Sequence, residues 1–223
     1  MIWKLRAWMH VTVRKRKSGT VSVCLALSLV VILGITIVTL IKITMVYSGL
    51  MKDPKVFPVV RNTDPYCDFV TYENTWGDDR TFGGDRRHEG CDIMGDSYVD
   101  GIYPVVSMTD GVVEKMGWLK LGGWRIGICS DKGIYYYYAH LANYADDLQV
   151  GDRVFAGQEI GRMGSTGYST VEGTRGNFAT HLHVGIYLPT EDGEKSINPY
   201  YVLKYLEKKH TMMASYPWEI LPQ

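Results

Sequence analysis

The chain has 223 residues, 46% of them apolar, with 24 Lys+Arg against 24 Asp+Glu and four cysteines. That is enough for one ordinary domain and something more, and it excludes a disordered chain, a collagen-like fibre and a disulfide-dense miniprotein. The neutral total hides a division: seven cations and no acid fall in residues 1–42, and the remainder carries 17 cations against all 24 acids, a net of −7.

A basic head comes first, residues 1–20, with Arg14-Lys15-Arg16-Lys17 at its end. An uncharged run from Val21 to Ile41 follows, rich in Val, Leu and Ile. As a helix rising about 1.5 Å per residue it spans roughly 30 Å, the thickness of a bilayer core. A cleaved signal peptide would have a shorter apolar stretch and a small-x-small site after it, and the residues around Val46 to Gly49 offer none. Residues 21–47 are therefore expected to be an uncleaved transmembrane anchor, with Cys24 a buried thiol in it. The cluster before the run outweighs Lys42, Lys52 and Lys55 after it. The positive-inside bias then puts the N-terminus in the cytoplasm and everything after residue 47 outside. Residues 48–65 hold three of the eight prolines and read as an extended linker. A body over 66–207 and a tail over 208–223 complete the chain.

The body reads as mainly antiparallel β. Short β-branched or aromatic runs alternate with turn signals, giving strands at 105–106, 111–116, 124–129, 134–140, 153–155, 159–162 and 181–188. Ser130-Asp131-Lys132-Gly133 marks a hairpin. Two helices are expected. One runs from Ala142 to Leu148. The other runs from Asn198 to Lys208, with Asn198 as cap, Pro199 in the first turn and Val202, Leu203 and Leu206 on one face.

Four of the six histidines lie inside this body. His88 and Asp92 are four apart, and along an extended segment they share a face. An imidazole and a carboxylate on one face suit Zn²⁺. His181 and His183 share a face of a strand, with Leu182 and Val184 directed to the core. A paired His of this kind points to metal or acid–base chemistry. The run Tyr135 to Leu141 brings the third element: strict alternation puts Tyr136, Tyr138 and His140 on one face.

Taken together, His88-Glu-Gly-Cys-Asp92, Tyr138-Ala-His140-Leu141 and His181-Leu-His183 resemble the motifs of the lysostaphin/LytM-type zinc endopeptidases of bacterial cell walls. The turns at Val150 to Gly161 and Gly164 to Gly167, and Ile197-Asn-Pro-Tyr200, are similar to that family as well, so the resemblance covers about residues 80–205. It implies an antiparallel β-sheet forming the floor of a groove, with one zinc ion held by His88, Asp92 and His183. It implies that His140 and His181 handle protons around a zinc-activated water, with Tyr138 the nearest tyrosine to assist. The implied activity is hydrolysis of peptide stems or cross-bridges of peptidoglycan by an enzyme anchored on the outer face of a bacterial membrane. The competing reading is a non-catalytic cell-envelope scaffold that keeps the peptidase fold; an endopeptidase for protein substrates is a third. The acidic body argues against nucleic acid as a partner.

The chain departs from the family pattern in three places. Thr180 stands where a Pro is usual, a long Gly/Ser/Thr-rich segment from Ser165 to Ala179 is expected as a groove wall, and Cys91 sits inside the first motif. Alternation points Cys91 away from His88 and Asp92, which makes it a buried thiol or the partner of Cys67 in a disulfide.

Overall fold

The computed structural model describes residues 2–60, 70–95 and 98–209. The tail beyond residue 209 and Cys67 lie outside the described residues. The chain divides into two units, Met1–Leu50 and Met51–Gln223. The first is one helix, α1 (Ile2–Leu50), whose stretch Ser22–Lys42 is long and apolar enough to cross a membrane and has none of that window buried. This is the apolar run expected from sequence, with its side chains directed outward all round. Thr36, Thr39 and Thr44 return their hydroxyl protons to carbonyls four residues back, at 2.8 Å each. That satisfies the polar atoms such a helix carries.

Among the described residues the second unit is built of twelve strands and a short helix. In chain order they are β1 (Val70–Tyr72), β2 (Asp79–Arg80), β3 (Arg86–Arg87), β4 (Gly90–Gly95), β5 (Pro104–Val106), β6 (Gly111–Leu119), β7 (Gly123–Ser130), β8 (Tyr135–Tyr144), β9 (Arg153–Val154), β10 (Glu159–Met163), β11 (His181–Thr190), β12 (Gly193–Ile197) and α2 (Tyr200–Lys208). All pairings are antiparallel. The main sheet runs β1-β4-β11-β8-β7-β6-β9, with β12 beside β11, β10 beside β8 and β5 beside β10; β2 and β3 form a separate hairpin. One face of the central strands is the core: Ile93, Ile126, Ile128, Tyr136, Tyr138, Leu182, Val184 and Ile186 are all fully buried. The other face is left for the groove.

The seven expected strands are present; most are longer than expected, while the one expected over 153–155 is only Arg153–Val154. The helix expected over Ala142–Leu148 does not form. Ala142 to Tyr144 continue β8, because that edge is taken by β10 in the register Gly161↔Tyr144 and Met163↔Leu141. The chain then turns through Asp147, whose φ of 60° breaks any helix. The second helix forms as expected and buries Val202, Leu203 and Leu206. Its cap is arranged differently: Pro199 is the terminal residue, and Asn198 accepts the Tyr200 N–H at 3.0 Å.

The linker expected over 48–65 is not a solvated tether where it is described. Residues 51–60 are packed on the sheet: Phe57 and Val59 are fully buried, Val59 bridges Val105, and Val106 N donates to Pro58 O at 2.9 Å. The prolines fit because a segment added at a sheet edge needs donors on one side only. Asp53 is also buried and accepts the Tyr136 hydroxyl at 3.0 Å. Phe57→Ala should therefore destabilise the detergent-solubilised chain by about 3–5 kcal/mol in denaturant unfolding. The same change at Phe155, which is 59% exposed, should cost no more than about 0.5 kcal/mol. Equal effects at the two positions would mean that the segment is loose.

Candidate metal centre and its groove

The candidate centre is built on the β4–β11 pairing. Its register sets Asp92 opposite His183, Met94 opposite His181 and Gly90 opposite Gly185. Period-two alternation then carries Asp92, His183 and His181 to one face, while Cys91, Ile93, Leu182 and Val184 go to the core. His88 enters from just before β4. Between His88 and Asp92, on the same face, sits Gly90, and a Cβ there would strike the His183 ring and Val184 O. The four-residue spacing thus works only with a glycine in its middle, because the third side chain of the cluster occupies that space.

The three predicted ligands come together. His88 Nε2 lies 2.9 Å from His183 Nδ1 and 3.1 Å from Asp92 Oδ1, and His183 Nδ1 lies 3.0 Å from Asp92 Oδ1. With lone pairs forward, these are three converging acceptors, which a cation holds together. Metal bonds of about 2.0–2.1 Å at tetrahedral angles place neighbouring ligand atoms roughly 3.3 Å apart, so the triangle fits zinc with little adjustment. His88 Nδ1 donates to Thr75 O at 2.9 Å, which turns Nε2 inward. Arg80 Nη2 donates to Asp92 Oδ2 at 3.0 Å and leaves Oδ1 to the cluster. Burial raises the Asp92 carboxyl, but hydrogen bonds to His183 and His88 outweigh it and hold the group well below the usual carboxylate range. Burial lowers His183 against the pull of Asp92. The cluster thus holds an ionised carboxylate and, at His183, a ring biased toward its neutral form, the protonation states that a metal needs.

The two other histidines face the same space. His181 Nδ1 lies 2.7 Å from Ala179 O, and His140 Nδ1 lies 2.8 Å from Thr166 O. A carbonyl can only accept, so in both rings Nδ1 carries a proton and Nε2 is the nitrogen left to take up or give one. The rings are 4.7 Å apart, centroid to centroid. His181 Nε2 is 3.8 Å from Asp92 Oδ1. Burial first, then the neighbouring His181 and His183, hold His140 well below the ordinary histidine range.

His140 reaches this face by breaking the alternation. Tyr136 and Tyr138 point into the core, and strict alternation would have sent His140 after them. Instead its φ is 63°, its N–H donates to Gly122 O at 2.8 Å, and its ring turns to the groove. The expected sharing of one face by Tyr136, Tyr138 and His140 is therefore corrected: Tyr135, Tyr137 and Ala139 line the groove with His140. Tyr138 is removed as an assisting hydroxyl, since it is fully buried and accepts the Met108 N–H at 2.9 Å.

The segment before β11 does form a wall. The Tyr168 and Phe178 rings lie 5.8 and 4.6 Å from that of His140, and Phe82 stacks on Tyr168 at 4.4 Å. Thr180, in place of the usual Pro, is buried, with Oγ1 2.9 Å from both Asp100 Oδ1 and Tyr98 O. Cys91 is a buried thiol donating to Glu73 O at 3.1 Å, and burial pushes it up to about 12. The groove encloses about 530 Å³. Sequence reading missed Arg80, Thr75 and Thr166 as supports. Two of the three act through backbone carbonyls, which carry no residue signature.

The model of peptidase family M23 matches residues 86–199, half of the chain, and the chain belongs to that family. The L-Ala–D-Glu endopeptidase of Bacillus subtilis (strain 168) is 41% identical over 167 residues, covering 75% of this chain and 48% of that protein. The glycyl-glycine endopeptidase ALE-1 of Staphylococcus capitis is 43% identical over 82 residues, covering 36% and 20%. A solved structure from Ruminococcus gnavus, assigned as a glycyl-glycine endopeptidase lytM, has a TM-score of 0.67 at 49% identity, covering 74% of this chain and 64% of that one. The chain thus spans about half the length of the first of these relatives and a fifth of the second.

Gly90→Ala should displace His183 and weaken zinc binding by about 100-fold or more, since loss of mere outer-shell support already costs 10- to 100-fold. Zinc content after dialysis against a competing chelator, beside an unchanged far-UV circular dichroism spectrum, measures this. Full zinc retention would mean that His183 is not a ligand.

Proposed function

We propose that this M23 peptidase is a membrane-anchored zinc endopeptidase that hydrolyses peptide bonds of peptidoglycan. The observation that carries the reading is the convergence, on one groove face, of a three-donor cluster and two histidines with free Nε2 atoms. His88, Asp92 and His183 would hold the metal. A zinc ion held there would supply Lewis acidity and acidify a bound water.

The chain's own residues do the rest. Nε2 of His140 or His181 accepts the proton of the attacking water, and the protonated ring then delivers it to the leaving amine. The second ring donates to the oxyanion when it is protonated. The carbonyls of Thr166 and Ala179 keep both Nδ1 protons in place, so neither ring must change tautomer before it acts. Tyr168, Phe178 and Phe82 shield the His140 side of the groove from water. Localisation is inferred from charge: the cationic head stays in the cytoplasm, Ser22–Lys42 crosses the membrane, and the peptidase faces the wall outside.

The reading is tested with the full chain in detergent or nanodiscs. It should carry about one zinc and release soluble peptides from purified peptidoglycan. His88→Ala should lose both properties. His140→Ala should keep the zinc and lose roughly 100-fold or more in rate. A zinc-loaded protein that releases no wall fragments would be a scaffold and not an enzyme.

A further inference from the structure

Arg125 lies in the floor of the groove and takes no part in the chemistry described so far. It projects from β7 on the face opposite Ile126 and Ile128, which are core. The pairing of β7 with β8 skips a residue here, Trp124 facing Leu141 and Ile126 facing Tyr138, so Arg125 sits at the level of Ala139. Ala139 in turn pairs with His183 on β11. Arg125, Ala139 and His183 thus share one rung across the floor, and the middle member is a methyl group that leaves the space between the outer two open.

Two interstrand steps of about 4.8 Å put the backbones of Arg125 and His183 roughly 10 Å apart. An extended peptide rises about 3.4 Å per residue, so a group that reaches Arg125 belongs to a residue within about two of the bond over the metal cluster.

The guanidinium is poorly matched by the protein itself. Its Nη1 is buried and has no hydrogen-bond partner among the described residues. Tyr135, Tyr137 and Tyr144 are the rings close enough for its charge to act on them, and no described carboxylate forms an ion pair with it. Of the other cations at the groove, Arg80 is bound to Asp92, Arg87 to Asp79 and Lys115 to Glu114 and Glu194, while Arg86 donates to Phe82 O at 3.4 Å. A guanidinium is a five-donor fork that matches a carboxylate in two parallel hydrogen bonds, and a half-buried one without a counter-ion is left unsatisfied.

We propose that Arg125 is a specificity-determining residue that receives a free carboxylate of the peptide substrate, next to the bond that is cut. This rests on the reading of the groove as a peptidase site and narrows it. The preferred substrate is an acidic peptide such as one cut at an Ala–Glu bond, where the glutamate retains a free carboxylate. A bond within an uncharged glycine bridge offers Arg125 nothing. A second consequence is that amidation of that carboxylate protects the peptide, since an amide offers one acceptor where the fork needs two.

The test uses the zinc-loaded full chain in detergent, with a synthetic L-Ala–D-Glu-containing stem peptide as the free acid and as its α-carboxamide. Cleavage is followed by mass analysis, and binding by calorimetry with the zinc-stripped protein. The unmodified protein should favour the acid over the amide by about 10- to 100-fold in kcat/KM and in affinity. Arg125→Gln should bring that ratio close to one by slowing the acid far more than the amide. Arg125→Lys keeps the charge without the fork and should retain part of the preference. Zinc content of each variant reports that the centre is still assembled. Equal handling of acid and amide by the unmodified protein, or an Arg125→Gln change that slows both alike, overturns the proposal. If neither peptide is cut, the L-Ala–D-Glu bond is excluded as the site of cleavage, and release from purified peptidoglycan decides the endopeptidase reading. The calorimetric ratio still decides for Arg125: a preference that vanishes in Arg125→Gln supports it, and equal affinities overturn it.

Discussion

Everything in the groove depends on the antiparallel register of β4 against β11. Asp92 and His183 are directly opposed, and residues so placed have Cβ atoms about 4.5–5.5 Å apart. Their polar atoms therefore meet without any loop having to be held in place. His181 follows on the same face by periodicity, and His88 follows by the extended path of the residues before Asp92. A slip of one residue would send Asp92 and the two histidines of β11 into the core and bring Leu182 and Ile93 out. The hydrophobic pattern of the other face forbids that slip, because Ile93, Leu182, Val184 and Ile186 are all fully buried. The core thus fixes the register, and the register fixes the centre.

His140 obeys a different constraint. Its left-handed backbone is unusual for a residue with a side chain, and such a conformation persists where surrounding bonds overdetermine it. Here they do. Its N–H is held by Gly122 O and its Nδ1 by Thr166 O, while Thr166 Oγ1 donates to Leu141 O and accepts from Trp124 N. The neighbouring loop is close-packed against this point: a Cβ at Gly123 would strike Thr166, and one at Gly167 would meet Leu121 O at 2.6 Å. The ring is placed by a small knot of backbone and threonine hydrogen bonds and not by the strand that carries it.

That difference explains what was legible in the sequence. His88, Asp92, His181 and His183 were readable because strand periodicity and a short, fixed spacing govern them. His140 was readable as a residue but not as a direction, since alternation assigned it to the face of Tyr136 and Tyr138 and only the left-handed turn reverses it. The segment 51–60 was misread because proline content signals an extended path without saying whether that path is solvated. The alternation of Phe57 and Val59 was the available clue. The short helix expected at Ala142 failed because local propensity there is weaker than the free edge of β10. β12 escaped because Gly193-Glu-Lys-Ser-Ile has almost no apolar content, and its pairing with β11 supplies what its side chains do not.

Net charge misleads at each scale on which it is read. The chain sums to zero, yet it divides into a cationic head and a body of −7. The body in turn is not uniformly acidic, for its groove is lined by Arg80, Arg86, Arg87, Lys115 and Arg125 against Glu89, Asp92 and Glu194. At physiological ionic strength the Debye length is about 8 Å, so a bound peptide responds to the groove and scarcely to the far side of the domain. Half of these charges are already spent on one another, Arg80 on Asp92 and Lys115 on Glu194, and Arg87 is taken by Asp79. What a substrate meets is the residue of that internal pairing. The sum over the body would predict repulsion of any acidic peptide, whereas the half-buried guanidinium of Arg125, left without a carboxylate in the floor, predicts attraction at a single point. Short-range, desolvated charge outweighs long-range, screened charge, and by that ordering an acidic domain would select an acidic substrate.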